Sequence, residues 1–217
     1  VYGDMGLKPT YVKAAFEYAY DELKKENVQD KVTLFYNDYD TYFSVDDELA
    51  LISYINEGEE AKICGGIGMQ SHVDIKRPTL EEYGNALKAF INAGLEVQIT
   101  ELDITINFDT DDTDGRTPTY AYKNEKETDA DQAAFTKDFI KQIVDIQKNR
   151  DKTISPKGIT GITVWGISDQ TSWRGSCKPL FFTRKNVRVK DETTGKYKTV
   201  YNYVPKKSYE AMIEALK

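Results

Sequence analysis

The chain has 217 residues, of which 40% are hydrophobic and 30% are charged, a balance that fits a folded globular protein rather than a disordered one. The formal net charge is −7, which disfavours nucleic acid and anionic membranes as partners because both require a positive field. The 15 Tyr, 9 Phe and 2 Trp suit either a Tyr-rich core or a site that stacks on flat, uncharged ligands such as sugars.

The two cysteines, Cys64 and Cys177, provide neither a disulfide framework nor a metal-ligand spacing, so we expect both to be small buried hydrophobic residues. The residues predict no metal site and no cofactor. No apolar run approaches the roughly 20 residues of a membrane span. The sequence starts with Val1 and lacks signal-peptide character there, so we expect it to begin within a longer protein.

Helices and strands alternate along the sequence. The predicted order is a helix capped by Thr10, a strand at 32–36, a helix opened by Ser44, a strand within 63–72, a helix opened by Thr79, a strand at 95–104, a helix from Asp129 or Asp131 and a strand at 159–164. A hairpin at 187–200 and a helix at 207–216 complete the chain. This alternation predicts an α/β fold with a parallel sheet, which is either a small open sheet or half of an eight-stranded barrel.

Each predicted strand is followed by polar or aromatic side chains, and a parallel fold gathers these ends on one face. They are Asn37, Tyr39, Gln70, His72, Glu101, Asp103, Trp165 and Trp173. No Ser-His-Asp or Cys-His set is present in the sequence, so a carboxylate nucleophile is the simplest chemistry left. A salt-bridged structural acid at the strand end is the alternative interpretation.

Two other motifs do not support a function. The glycines within 65–68 lack the downstream acid of a dinucleotide-binding fingerprint. The acidic loop at 109–114 invites a calcium interpretation, but placing Gly115 at the sixth loop position puts Thr110 first and Ala121 twelfth, where acids are required.

Four segments together resemble successive motifs of glycoside hydrolase family 10, the endo-1,4-β-xylanases. They are LFYNDY at 34–39, GIGMQSH at 66–72, ITELDI at 99–104 and VWGISDQTSW at 164–173. The resemblance implies a (β/α)8 TIM barrel, of which residues 1–217 would form the C-terminal half with strands five to eight. The hairpin would then be an insertion at about 186–202.

The resemblance also implies a role for each residue at the strand ends. Glu101 would be the nucleophile of a retaining xylanase, and His72 would bridge Glu101 and Asp103 as an orienting residue. Asn37, Tyr39 and Gln70 would lie near the reacting sugar, and Trp165 and Trp173 would form apolar walls against xylose rings. The substrate would be xylan or xylo-oligosaccharide, and the enzyme would be secreted or on the cell surface.

The family's acid/base residue lies in a segment resembling WDVVNE, which has no counterpart in this sequence. We therefore expect the chain to fold and act only with an N-terminal half, supplied by a second polypeptide or by a segment outside these residues. Two alternatives stay open at this point. One is a retaining β-glycanase acting on another polysaccharide, and the other is a non-catalytic sugar-binding barrel relative.

Overall fold

The computed structural model describes residues 9–107 and 127–217. The chain divides into two compact units. The first unit comprises Val1–Ser71, Glu81–Glu101 and Asp145–Thr163, and the second comprises His72–Leu80, Leu102–Val144 and Val164–Lys217. The acidic loop at 109–114 lies outside the described residues.

The alternating order of helices and strands is confirmed. The helices are α1 (Thr10–Lys25), α2 (Val45–Asn56), α3 (Leu80–Asn92), α4 (Asp129–Asn149) and α5 (Lys207–Ala215). The strands are β1 (Phe35–Asp38), β2 (Gly66–Met69), β3 (His72–Asp74), β4 (Glu96–Thr105), β5 (Ile159–Val164), β6 (Phe182–Lys190) and β7 (Tyr197–Pro205). None of the helices in the described ranges combines the length and apolar character that a membrane crossing needs.

The predicted parallel sheet is present. In the first unit, β1 pairs in parallel with β2, and β2 pairs in parallel with the first half of β4. In the second unit, β3 pairs in parallel with the second half of β4. The strand β5 also pairs with β4. The strands β6 and β7 form a separate antiparallel ribbon.

Several predicted boundaries were wrong. The first strand is Phe35–Asp38 rather than 32–36, so Asn37 lies within it. Thr10 is the first residue of α1 rather than its cap, since the carbonyl of Pro9 accepts the N–H of Val12. Ser44 does precede α2, but its hydroxyl contacts the carboxylate of Glu48 instead of capping a backbone N–H.

The hairpin is longer than predicted, whereas β4 is displaced by one residue, to Glu96–Thr105 instead of 95–104. Glu101 and Asp103 lie in the C-terminal half of β4, as expected. The hairpin extends from Phe182 to Pro205, because its pairing continues to the base of the ribbon.

The core of each unit forms where an amphipathic helix covers the sheet. In the first unit, Leu87, Phe90 and Ile91 of α3 are buried together with Val97 and Ile99 of β4. In the second, Phe139, Ile140 and Ile143 of α4 are buried, as are Leu102 and Ile104 of β4. Both cysteines are unpaired and buried, as predicted.

Glu48, in the first turn of α2, is a buried carboxyl group that makes stability depend on pH. It is 7% exposed, and burial together with the nearby charges of Asp38 and Asp47 raises its pKa to about 7, against a hydrogen bond from Ser44 that lowers it. A raised carboxyl pKa means that the folded protein binds the proton more tightly than the unfolded chain. The contribution of Glu48 to the free energy of unfolding is therefore fully present below the ordinary pKa of a glutamate, and it is lost as the pH rises through 7.

We expect Glu48→Gln to raise the free energy of unfolding by about 1–3 kcal/mol at pH 8 and to have little effect at pH 4.5. Denaturant titrations of the complete catalytic domain at the two pH values measure this difference. Asp46→Asn is the matched control, because Asp46 is exposed in the same helical turn. An equal effect of Glu48→Gln at both pH values would contradict the prediction.

Candidate active site

Glu101 lies on β4 in the first unit, beside the amide of Asn37 on β1. The Nδ2 of Asn37 donates a hydrogen bond to Oε1 of Glu101 at 3.2 Å. The Oδ1 of Asn37 accepts a hydrogen bond from the hydroxyl of Thr100 at 2.6 Å, which fixes which end of the amide faces the carboxylate. This N–H donor restrains the orientation of the Glu101 carboxylate.

A glycine makes room for this arrangement. Gly68 on β2 pairs with Asn37 on β1, and a Cβ at Gly68 would lie 2.4 Å from Oδ1 of Asn37 and 3.0 Å from Cγ2 of Thr100. Any side chain at position 68 would therefore displace the Asn37 amide.

We expect Gly68→Ala to lower kcat/KM by about ten- to a hundredfold, because the displaced amide can no longer hold the Glu101 carboxylate. Steady-state kinetics of the complete domain on a xylo-oligosaccharide, the substrate that the sequence resemblance implies, give this ratio. Gly161→Ala is the matched control, since a Cβ at Gly161 on β5 would meet only ordinary contacts at 3.9 Å from Gln98. Equal losses in both variants would show that the effect is a general one of glycine replacement.

The register of β4 places one extra residue next to Glu101. Ile99 pairs with Met69, and Asp103 pairs with His72, so β4 advances four residues while the facing segment advances three. Such a bulge changes the direction of side chains and is frequent beside active sites. It explains how Thr100 and Glu101, which are adjacent, both contact the side chain of Asn37.

Asp103 is a fully buried carboxylate of the second unit, and it is paired with His72. Asp103 is 0% exposed, and its Oδ2 lies 3.1 Å from Nδ1 of His72. The indole Nε1 of Trp173 also donates to Oδ2 at 2.8 Å, and the guanidinium of Arg174 lies 3.8 Å from Oδ1. A buried carboxylate needs such donors, and together they fix the position of the imidazole ring.

Two tryptophans flank the imidazole of His72. The ring of Trp173 lies 4.9 Å from it and the ring of Trp165 lies 6.4 Å from it, both edge-on. The indoles of Trp173 and Trp165 are 50% and 47% exposed, so each contacts the imidazole on one side and presents an exposed apolar surface on the other. That combination suits a wall that stacks on a sugar ring.

The remaining predicted site residues are placed by the backbone of the first unit. The N–H of Gln70 donates to the carbonyl of Asp38 at 3.0 Å, and its carbonyl accepts the N–H of Glu101 at 2.9 Å. Tyr39 is 64% exposed, and its N–H donates to Oδ1 of Asp38 at 2.8 Å. Gln70 is therefore adjacent in the ladder to Glu101, and Tyr39 presents its ring to solvent.

Among residues 9–107 and 127–217, no group of three or more His, Cys, Asp or Glu side chains is arranged to hold a metal ion.

Comparison with known families identifies the chain. The profile of glycosyl hydrolase family 10 matches residues 1–214. The chain belongs to glycosyl hydrolase family 10. Endo-1,4-β-xylanase A of Butyrivibrio fibrisolvens is 40% identical over 86% of this chain and 39% of its own length. Endo-1,4-β-xylanase A of Xylanibacter ruminicola is 31% identical over 77% of this chain and 44% of its own length. This family 10 chain thus spans less than half the length of either relative.

Solved xylanase structures resemble the whole of this family 10 chain. The endo-1,4-β-xylanase of Caldicellulosiruptor owensensis is 25% identical with a TM-score of 0.62, and the match covers 95% of this chain and 54% of that chain. A Clostridium thermocellum xylanase complexed with xylohexaose is 25% identical with a TM-score of 0.64, covering 97% and 34%. The fold class is therefore that of the family's α/β barrels.

Sequence reasoning on this family 10 chain missed three contributors to the site, which are Gly68, Thr100 and Arg174. Arg174 donates to the carbonyl of His72 at 3.4 Å, and its guanidinium lies 4.3 Å from the centre of the Trp173 ring. Its position directly after Trp173 is the one signal in the sequence. Gly68 and Thr100 lie inside two of the recognised motifs but become informative only through the contact that each makes with Asn37.

Proposed function

We propose that this chain is part of a retaining endo-1,4-β-xylanase in which Glu101 is the nucleophile. The carboxylate of Glu101 on β4, held by the amide of Asn37 on the parallel strand β1, is the observation that carries the proposal. The xylanase names of the relatives and the family membership support it. The complex of the Clostridium thermocellum relative with xylohexaose supports a xylo-oligosaccharide as ligand.

In this mechanism a carboxylate oxygen of Glu101 attacks the anomeric carbon of a xylose unit. The bond to the leaving sugar breaks as an acid donates a proton to its oxygen, and a covalent glycosyl-enzyme forms. Water then attacks the same carbon after losing a proton to the conjugate base of that acid, and Glu101 is released as the carboxylate. The amide of Asn37 restrains the orientation of the nucleophile for its attack.

We assign orienting roles to His72 and Asp103. The contacts that Asp103 receives from His72, Trp173 and Arg174 support this assignment, because they leave the imidazole little freedom to rotate. The exposed faces of Trp165 and Trp173 would stack on xylose rings and exclude water. Gln70 and Tyr39 would contact the same sugar.

The acid/base residue is proposed to come from an N-terminal half of the same barrel, either on a second polypeptide or on a segment outside these 217 residues. A retaining mechanism needs a second carboxyl group about 5–5.5 Å from the nucleophile. In this proposal the described strands are the fifth to eighth of the barrel, and residues 186–202 are an insertion. We further propose that the enzyme is secreted or displayed at the cell surface.

Hydrolysis of xylan by the complete catalytic domain, followed by proton NMR of the first products, tests the proposal. We expect β-configured reducing ends at early times, because two displacements retain the configuration. A panel containing cellulose and mannan tests the substrate. Inverted products, or preference for another glycan, would contradict the proposed reaction.

Expression of residues 1–217 alone tests the requirement for a second half. Half of a barrel has unpaired strand edges, so we expect aggregation or non-cooperative unfolding. Co-expression with the N-terminal half should restore a soluble, active complex. A soluble monomer of residues 1–217 that unfolds cooperatively and hydrolyses xylan would contradict the requirement.

A further inference from the structure

The ribbon formed by β6 and β7 has one face with a distinct composition, which we call the tyrosine face. The register pairs Arg184 with Tyr203, Asn186 with Tyr201, Arg188 with Thr199 and Lys190 with Tyr197, so these side chains share one side. Tyr197, Tyr201 and Tyr203 on this face are 61%, 52% and 41% exposed. Three large aromatic side chains at such exposure on one side of a ribbon indicate an interaction surface.

The arginines of the tyrosine face are stacked on its aromatic rings. The guanidinium of Arg184 lies 4.5 Å from the ring centre of Tyr201, and that of Arg188 lies 5.1 Å from the ring centre of Tyr197. These contacts lie diagonally across the ribbon and hold the flat groups in place. Restrained side chains lose less conformational entropy when a ligand binds.

The ribbon carries a charge opposite to that of the chain. Residues 182–205 contain six Lys or Arg and two Asp or Glu, whereas the chain as a whole has a net charge of −7. The opposite face is formed by Lys185, Val187, Val189, Lys198, Val200 and Asn202 and has no aromatic residue. Positive charge is therefore present on both faces, but aromatic rings are confined to one.

The base of the ribbon is attached to the segment that leads to Trp173. The side-chain oxygen of Gln170 accepts the N–H of Arg184 at 2.6 Å. Gln170 belongs to the short helix Asp169–Thr171, which lies between β5 and Trp173. The tyrosine face thus begins next to the loop that carries an aromatic residue of the candidate site.

We propose that the tyrosine face is a second binding surface for xylan that bears uronic acid groups. This inference rests on the proposed function, and it assigns the surface a ligand class of its own. The tyrosine rings would stack on sugar faces, and Arg184 and Arg188 would pair with the carboxylates of the side groups. A polymer held there would be retained close to the segment that carries Trp173.

Other polyanions fit the surface less well. Nucleic acid also uses aromatic and arginine side chains, but the net charge of −7 on the whole chain opposes its approach. Insertion into an anionic membrane favours Trp, Phe or Leu on the buried side of the element, and the tyrosine face has none of these along the exposed part of the ribbon. A polysaccharide with few charges can contact both the aromatic and the basic side chains, and the negative charge of the chain repels it only weakly.

Affinity electrophoresis of the complete catalytic domain tests the proposal. The Glu101→Gln background prevents degradation of the polymer, and saturating xylohexaose occupies the substrate cleft. Migration through soluble glucuronoxylan is then compared with migration through neutral arabinoxylan. Three proteins are compared besides the control described below, namely the background itself, the pair Tyr197→Ala and Tyr201→Ala, and the pair Arg184→Gln and Arg188→Gln.

We expect the background to be retarded more by glucuronoxylan than by arabinoxylan, and each pair to weaken this binding by at least about tenfold. The matched control is Lys185→Gln with Lys198→Gln, which removes the same charge from the opposite face and should weaken binding by less than about twofold. Equal losses on both faces, equal retardation by the neutral polymer, or binding of anionic phospholipid vesicles through the tyrosine face would overturn the proposal. If the wild type fails to hydrolyse xylan, the proposed function fails, while retardation still reports separately on the tyrosine face.

Discussion

Replacement of Glu101 by Gln should abolish turnover in the complete catalytic domain while preserving its fold and its binding of xylo-oligosaccharide. The amide is close to the carboxylate in shape but cannot attack the anomeric carbon, so we expect kcat to fall by on the order of 10⁴-fold or more. The neighbouring Asn37 can still contact the new side chain, which keeps the local structure intact. Steady-state kinetics and calorimetric titration with xylohexaose measure the two effects separately.

The control for this experiment is Glu96→Gln on the same strand. Glu96 accepts hydrogen bonds from Lys157, Thr160 and Thr33, which lower its pKa although burial alone would raise it. Its loss should reduce stability and leave kcat within about twofold. A second variant, Glu101→Ala, leaves the space of the carboxylate empty, so azide should restore turnover there and give an inverted glycosyl azide by attack from the vacated side. Near-normal turnover without azide would refute Glu101 as the nucleophile.

Much of the fold could be predicted because hydrophobic periodicity and helix–strand alternation are properties of local sequence. The helix from Asp129 and the strand at 159–164 have the expected bounds for this reason. The strand β4 also lies within one residue of its predicted bounds. Its change of partner, from β2 in its first half to β3 in its second half, could not be predicted, because pairing depends on segments distant in the sequence.

Residues of the candidate site could be predicted where the residue type itself indicates the chemistry. They could not be predicted where the role depends on a contact between segments distant in the sequence. Asp103 and His72 were expected to interact, and the structure brings them to 3.1 Å. The bulge beside Glu101 depends on the count of residues in two paired segments, which no single motif contains. Arg174 was missed because its role depends on a carbonyl 102 residues away, that of His72.

The buried pair of Lys206 and Asp169 should be the most sensitive position for the stability of the second unit. The Nζ of Lys206 donates to Oδ2 of Asp169 at 3.0 Å and to the carbonyl of Lys178 at 2.7 Å. Burial lowers the pKa of Lys206 and raises the pKa of Asp169, because removal from water disfavours each charged form. The attraction between the two opposite charges offsets this desolvation cost. We expect Lys206→Met to reduce the free energy of unfolding by about 3–5 kcal/mol, measured by denaturant titration.

We expect the loss of stability in Lys206→Met to arise mainly because the carboxylate of Asp169 is left without a cation. A double variant tests this cause. Asn at position 169 is uncharged and can still accept the N–H of Leu180, which donates to Asp169 at 2.8 Å. Asp169→Asn combined with Lys206→Met should therefore be more stable than Lys206→Met alone. Lys207→Met, at an exposed neighbouring position, should change stability by less than about 0.5 kcal/mol. If the double variant is no more stable than Lys206→Met, the loss comes from the lysine's own packing and bond to Lys178 rather than from an unpaired charge.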